Sequence, residues 1–180
     1  MTDPDEKPEV SPSGDRILRH KGEEAWAPPA ETTALEEISA HIALHLGEVN
    51  TVFHEIVSDA VHIDVHIVEP NGENPFVRLV TSGMSDLPMH LPEGVDAPRF
   101  LELMVTLPTK WMLDKESFED DNWYWPMRLI KELARFPHKY RTWLGFGHTL
   151  PHGDPPKGLC AKYTLVLRVS SALCNGAAGI

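Results

Sequence analysis

The five residues His62-Ile63-Asp64-Val65-His66 alternate imidazole and carboxylate with apolar side chains, and imidazole and carboxylate are the donors of many metal centres. On an extended strand the period of two puts all three polar side chains on one face. A rise of about 3.3 Å per residue separates the two histidines by about 13 Å, too far to share one ion without a bulge. A metal centre here would therefore use Asp64 with His62 or His66, completed by a residue such as Glu102 as ligand or base, and it would serve metal-dependent hydrolysis. The commoner alternative is a strand with Ile63, Val65 and Ile67 inward and a solvated or ligand-facing polar side outward.

Three further groupings have reactive residue types. His41 and His45 stand four apart on an expected helix, but Ile42-Ala43-Leu44 between them supplies no general base as H-E-x-x-H does. Gly83-Met84-Ser85-Asp86-Leu87 approaches the nucleophile elbow G-x-S-x-G, which would give a Ser85, Asp86, His148 hydrolase. Leu87 stands where the second glycine is required, so the segment reads as a turn with Gly83 at positive φ. Glu55, Asp64 and Glu102 lie one each on expected strands and would do acid–base work only if they met on one face. No phosphate-binding glycine loop, CxxC pair or EF-hand loop is present, which leaves no signal for a cofactor.

These residues belong to a chain of 180 residues, with 42% hydrophobic and 24% charged side chains, which fits one globular domain. Sixteen basic against 27 acidic residues give a formal charge of −11, a field that repels nucleic acid and anionic lipid and attracts a basic partner. The apolar runs are too short for a membrane span or a signal peptide, and two cysteines are too few for a disulfide framework. A cytoplasmic protein is expected.

Residues 1–31 contain Pro4, Pro8, Pro12, Pro28 and Pro29 and few large apolar side chains, the pattern of a flexible acidic tail ahead of a domain over 32–180. A first helix is expected from a Thr33–Glu36 capping box to near Gly47, on the apolar spacing of Leu35, Ile38, Ile42 and Leu46. Strands follow at 52–57, 61–68, 76–81 and 100–107, then a helix over 122–136 with Pro126 in its first turn, and a fifth strand over 163–167. That order argues an α+β fold: a mixed, largely antiparallel sheet of about five strands packed by two or three helices. The aromatic group Trp111, Trp123, Tyr124, Trp125, Phe136, Tyr140, Trp143 and Phe146 reads as the core that joins helix to sheet, with one or two members exposed for a partner.

Several segments, taken together, are similar to the Suppressor of fused (SUFU) domain family. These are Phe53-His54-Glu55-Ile56, Ile63-Asp64-Val65, Leu79-Val80-Thr81-Ser82-Gly83-Met84-Ser85-Asp86, and Glu102-Leu103-Met104 with Leu107-Pro108 and Trp111. Trp125-Pro126 through Leu133-Ala134-Arg135, Trp143 and Gly147-His148-Thr149 continue the match. The resemblance implies a mixed α/β domain that binds another polypeptide without catalysis, as the animal member grips a transcription-factor segment by strand addition. The chain resembles the small, stand-alone bacterial type, many of which are presumed immunity proteins linked to toxin loci, and it ends where the family's usual last strands are expected. A protein or peptide partner, with a toxin as one class, follows from the resemblance, with Met84, Ser85, Asp86, Gly147, His148 and Thr149 as contact positions because they fall in loops.

Overall fold

The computed structural model describes residues 9–11, 14, 16–19, 34–55, 61–72, 74–152, 157–158 and 167–168. Strands β1 (Val49–Phe53), β2 (Asp64–Val68), β3 (Phe76–Ser82) and β4 (Met104–Pro108) form an antiparallel sheet in the order β1-β2-β3-β4. Helix α1 (Leu35–His45) precedes the sheet and α2 (Asp121–Lys139) follows it, giving the expected α+β class. A second, two-stranded ladder pairs β5 (Thr149–Leu150) with β6 (Leu167–Arg168). Of the expected fifth strand, residues 163–166 lie outside the described residues, as does most of the tail over 1–31 and the Thr33 cap. The described part of that tail contains a Val10–Arg16 bridge and an Arg19–Glu9 ion pair.

The sheet is covered on both faces. Val65, Ile67, Val77, Leu79 and Leu107 pack against Met127 and Ile130 of α2. Val68 and Val80, one residue out of phase, pack against Ile42 of α1. The alternation of side chains along a strand thus divides one sheet between two helices. This overturns the expectation of a solvated outer face on β2: every residue of Asp64–Val68 is buried, Asp64 and His66 included. A third apolar group, Val61, Ile63, Met84, Met89, Ala134 and Leu144, closes the end of the sheet beyond β2 and β3.

Strand boundaries move where side chains replace ladder bonds. β1 starts at Val49 and ends at Phe53, because His54 and Glu55 turn to Asp64, whose carboxylate accepts from the Glu55 backbone N–H at 3.0 Å. β4 begins at Met104, not Phe100, since Leu103 is held through Thr81: its N–H donates to Thr81 Oγ1 at 2.8 Å and its carbonyl accepts from Thr81 N at 2.9 Å. Helix α2 starts one residue early, capped by the Asp120 carboxylate accepting from Asn122 N at 2.9 Å, so Pro126 falls in the second turn. It also passes the expected end at Phe136, carrying a buried Pro137 to finish at Lys139, and Arg128 pairs with Asp121 near its start.

Gly83 leaves β3 at φ 104, the positive φ expected of the turn, and a Cβ there would lie 1.9 Å from the His62 carbonyl oxygen. Gly94, at φ 81, has nothing within 4 Å of such a Cβ. Gly83→Ala is therefore expected to cost about 2–4 kcal/mol, backbone strain plus a clash. Gly94→Ala should cost about 1–2 kcal/mol from φ alone. Urea unfolding of the two variants checks the order, and equal costs would contradict the close approach at Gly83.

Candidate functional site

Two hydrogen-bonded hubs organise the chemically capable residues. The first is the Glu102 carboxylate. Its Oε1 accepts from Gly83 N at 3.0 Å, Ser85 N at 2.9 Å and Ser85 Oγ at 2.6 Å, while Oε2 accepts from Thr81 Oγ1 at 2.6 Å. One side chain thereby clamps the whole turn from Thr81 to Ser85. Burial pushes the Glu102 carboxyl above its ordinary value, against those four hydrogen bonds, which pull it down. His138 holds the same turn from the other side, its Nε2 donating to the Met84 carbonyl at 3.0 Å. Burial keeps that imidazole below its ordinary value, as it does for His66.

The second hub is Asp64, whose carboxylate accepts from His54 Nδ1 at 2.8 Å, His62 Nε2 at 2.9 Å and the Glu55 N–H. Glu55 points to the α2 face, where it pairs with Arg135 and accepts from Ile63 N at 3.3 Å. His66 turns away from Asp64 and meets Ser82 Oγ through Nε2 at 2.9 Å. Thr81 and Ser82 project to opposite faces of β3, so Glu102, bonded to Thr81, does not join Asp64, the neighbour of Ser82 across the ladder. Of the four candidates, His62 and Asp64 bond to each other while His66 and Glu102 serve bonds elsewhere, and among the described residues no three His, Cys, Asp or Glu side chains converge to hold a metal ion. Nor do Glu55, Asp64 and Glu102 share one site. Ser85 donates its hydroxyl to Glu102, and His148 packs on Trp143 with ring centroids 4.3 Å apart, so the serine hydroxyl is engaged away from that imidazole. His41 and His45 touch each other, with centroids 4.4 Å apart, on the exposed side of α1.

The two loop segments named as contacts differ in exposure. Met84 is 1% exposed and its side chain is core; Ser85 and Asp86 are half-buried. Gly147 and Thr149 are exposed, and His148 is half-buried. Trp143 and Leu150 pack against the apolar group that contains Met84, so both segments lie over the same end of the sheet. Phe146, a member of the aromatic group of which one or two were expected to be exposed, stands 70% exposed between Gly145 and Gly147. Trp111 does fill the expected core role, meeting Trp123 and Trp125 edge-on. Its flanking glycines were the one sequence signal that set Phe146 apart, since an aromatic between two glycines has no neighbouring side chain to cover it.

A family model for the Suppressor of fused protein (SUFU) matches residues 59–169. The chain belongs to the SUFU family. Comparison with curated proteins and with solved structures found no match. SUFU domains are protein-interacting and generally non-catalytic. Among the residues that carry the resemblance, Thr81 through Ser85 with Glu102, and His54, Glu55, Asp64 and Arg135, form or flank the two hubs. Among the described residues no helix is long and apolar enough to cross a membrane.

Glu102→Ala is expected to cost about 2–4 kcal/mol, because it strands the Gly83 and Ser85 amides. Glu102→Gln should cost less than half as much: its oxygen keeps the three Oε1 donors, and its amide donates to Thr81 Oγ1, which then turns its own proton to the Leu103 carbonyl, 3.4 Å away. Equal losses in urea unfolding would show that the clamp depends on charge.

The pH dependence has a defined sign. His66 and His138 have folded pKa values depressed below the unfolded value of about 6.5, so their contribution is complete above that pH and is lost as pH falls through the folded values. Glu102, shifted up, acts in the opposite sense: its contribution is present below the unfolded carboxyl value and is lost as pH rises through the folded one. The urea midpoint should therefore fall between about pH 7.5 and pH 5.5, and fall less in His138→Gln, whose amide still donates to the Met84 carbonyl. An unchanged fall in that variant would remove His138 from the linkage.

Proposed function

We infer that the chain is a non-catalytic binding module, an immunity-type inhibitor of a toxin or another polypeptide in the cytoplasm. The observation that carries this reading is Phe146, a large aromatic left 70% exposed on a glycine-flanked loop beside Gly147, His148 and Thr149. Exposed aromatics on a packed base are the usual anchors of protein interfaces. Trp143 supplies that base, since a Cβ on Gly145 would lie 2.4 Å from its ring. Ser85 and Asp86, over the same end of the sheet, add polar contacts, and Met84 contributes by shaping the turn from within the core. The net charge of −11 favours a basic partner.

A metal-dependent hydrolase built on Asp64, His62, His66 and Glu102 would need those side chains to leave the bonds that hold the two hubs. No observation favours it.

Affinity capture of the tagged chain from lysate of its source cells, read by mass spectrometry, tests the binding reading. One stoichiometric polypeptide is expected with the wild type. Phe146→Asp should retain at least about tenfold less, the loss typical of an interface anchor. Recovery should also decline as salt rises, through screening. Capture undiminished by Phe146→Asp would place the interface elsewhere, and recovery of the chain alone at low salt would count against the module reading.

A further inference from the structure

We propose that Arg78 is a carboxylate receptor, built into the sheet face that α1 covers. Arg78 is the third residue of β3, opposite Val68 of β2 and Thr106 of β4. It is 5% exposed, yet Nε and the second terminal nitrogen are both buried and have no hydrogen-bond partner among the described residues. These two nitrogens form the side-on fork of the guanidinium, the edge whose parallel N–H bonds match the two oxygens of a carboxylate. A guanidinium stays charged when buried, so an unmatched fork is strongly unfavourable and an anion is its natural complement.

A second orphan group lies on the same face. His66 is fully buried, its Nε2 meets Ser82 Oγ at 2.9 Å, and its Nδ1 has no partner among the described residues. It sits diagonally from Arg78 across the β2–β3 ladder, at the spacing that long side chains bridge. In the tautomer in which the Ser82 hydroxyl donates to Nε2, the proton of the neutral imidazole rests on Nδ1, which is then one more buried donor. The apolar neighbours on this face are Val68, Val80 and Ile42, and the Asp64 carboxylate, on the same face two residues from His66, is taken up by His54, His62 and the Glu55 N–H. Planar, bidentate donors in an apolar setting select a carboxylate over a spherical ion, and the carboxylate is either a small free acid or a side chain of a polypeptide.

The test uses the full chain with sodium formate, titrated against sodium chloride at fixed ionic strength. The wild-type Arg78 Nε–H resonance, assigned by its loss in Arg78→Met, is expected downfield of the exposed arginines, as a charge-assisted hydrogen bond requires. A formate-dependent rise in melting midpoint of about 2–4 °C that Arg78→Met lacks identifies a free acid. A flat formate response, with the downfield resonance present and Arg78→Met melting lower, identifies a side-chain carboxylate. An Arg78 Nε–H at the position of exposed arginines, with no formate response, overturns the proposal, and it is read on the wild type even where Arg78→Met does not fold. Arg78→Met melting at or above the wild-type midpoint in saturating formate also overturns it, as loss of an unmatched buried charge would do.

Discussion

Strand β2 is buried on both faces, and most of the architecture answers that constraint. A strand with a helix on either side has no water for its polar side chains, yet this one carries Asp64 and His66 between its valines and isoleucine. Each must find partners inside the protein, because an unmatched buried polar group costs about 1–3 kcal/mol. Asp64 obtains them by drawing the chain after β1 out of the ladder, which ends that strand at Phe53 and sets Glu55 against Arg135 of α2. His66 takes Ser82. The ends of the sheet are thus written in side-chain bonds, and α2 is tied to the sheet by an ion pair as well as by its apolar face.

The same logic explains which parts of the fold were legible in the sequence. Segments whose pattern follows the backbone period, such as Phe76–Ser82 and the core of α2, are where the alternation and the helical spacing placed them. Boundaries were misplaced where a distant side chain competes with the ladder: Glu102 and Thr81 delay β4, and Asp64 shortens β1. No local window contains both partners of those bonds, which lie 9 to 22 residues apart. The second cover on β2 was hidden for a related reason. Helix α1 buries only Ile42 fully, a weak stripe by itself, and the polar residues of β2 resemble a solvent face until α1 is placed over it.

For the candidate site, the sequence drew attention to residues that the structure ties into hydrogen-bonded hubs. His62, Asp64, His66, Ser85 and Glu102 have the chemical types of a catalytic centre; Asp64, Ser85 and Glu102 hold backbone in place, and His62 and His66 bond to Asp64 and Ser82. A carboxylate with four donors around it resembles a binding nest, but the donors here are the protein's own turn. Ser85, at the glycine turn, is one of the bonds by which Glu102 fixes the loop.

That distinction bears on what membership in the SUFU family transfers to this chain. Part of the resemblance sits in the two hubs, and there the residues hold the fold and stiffen its turns. Recognition must then come from side chains that the hubs position without consuming. The turn at Met84 is clamped by Glu102 and His138, and the loop after Leu144 packs on the same apolar group through Trp143. Because both are anchored from below, whatever stands on them is presented without a large ordering cost on binding. A rigid platform under a few exposed groups lets partner choice change by substitution at the tips while the hydrogen bonds that make the platform stay as they are.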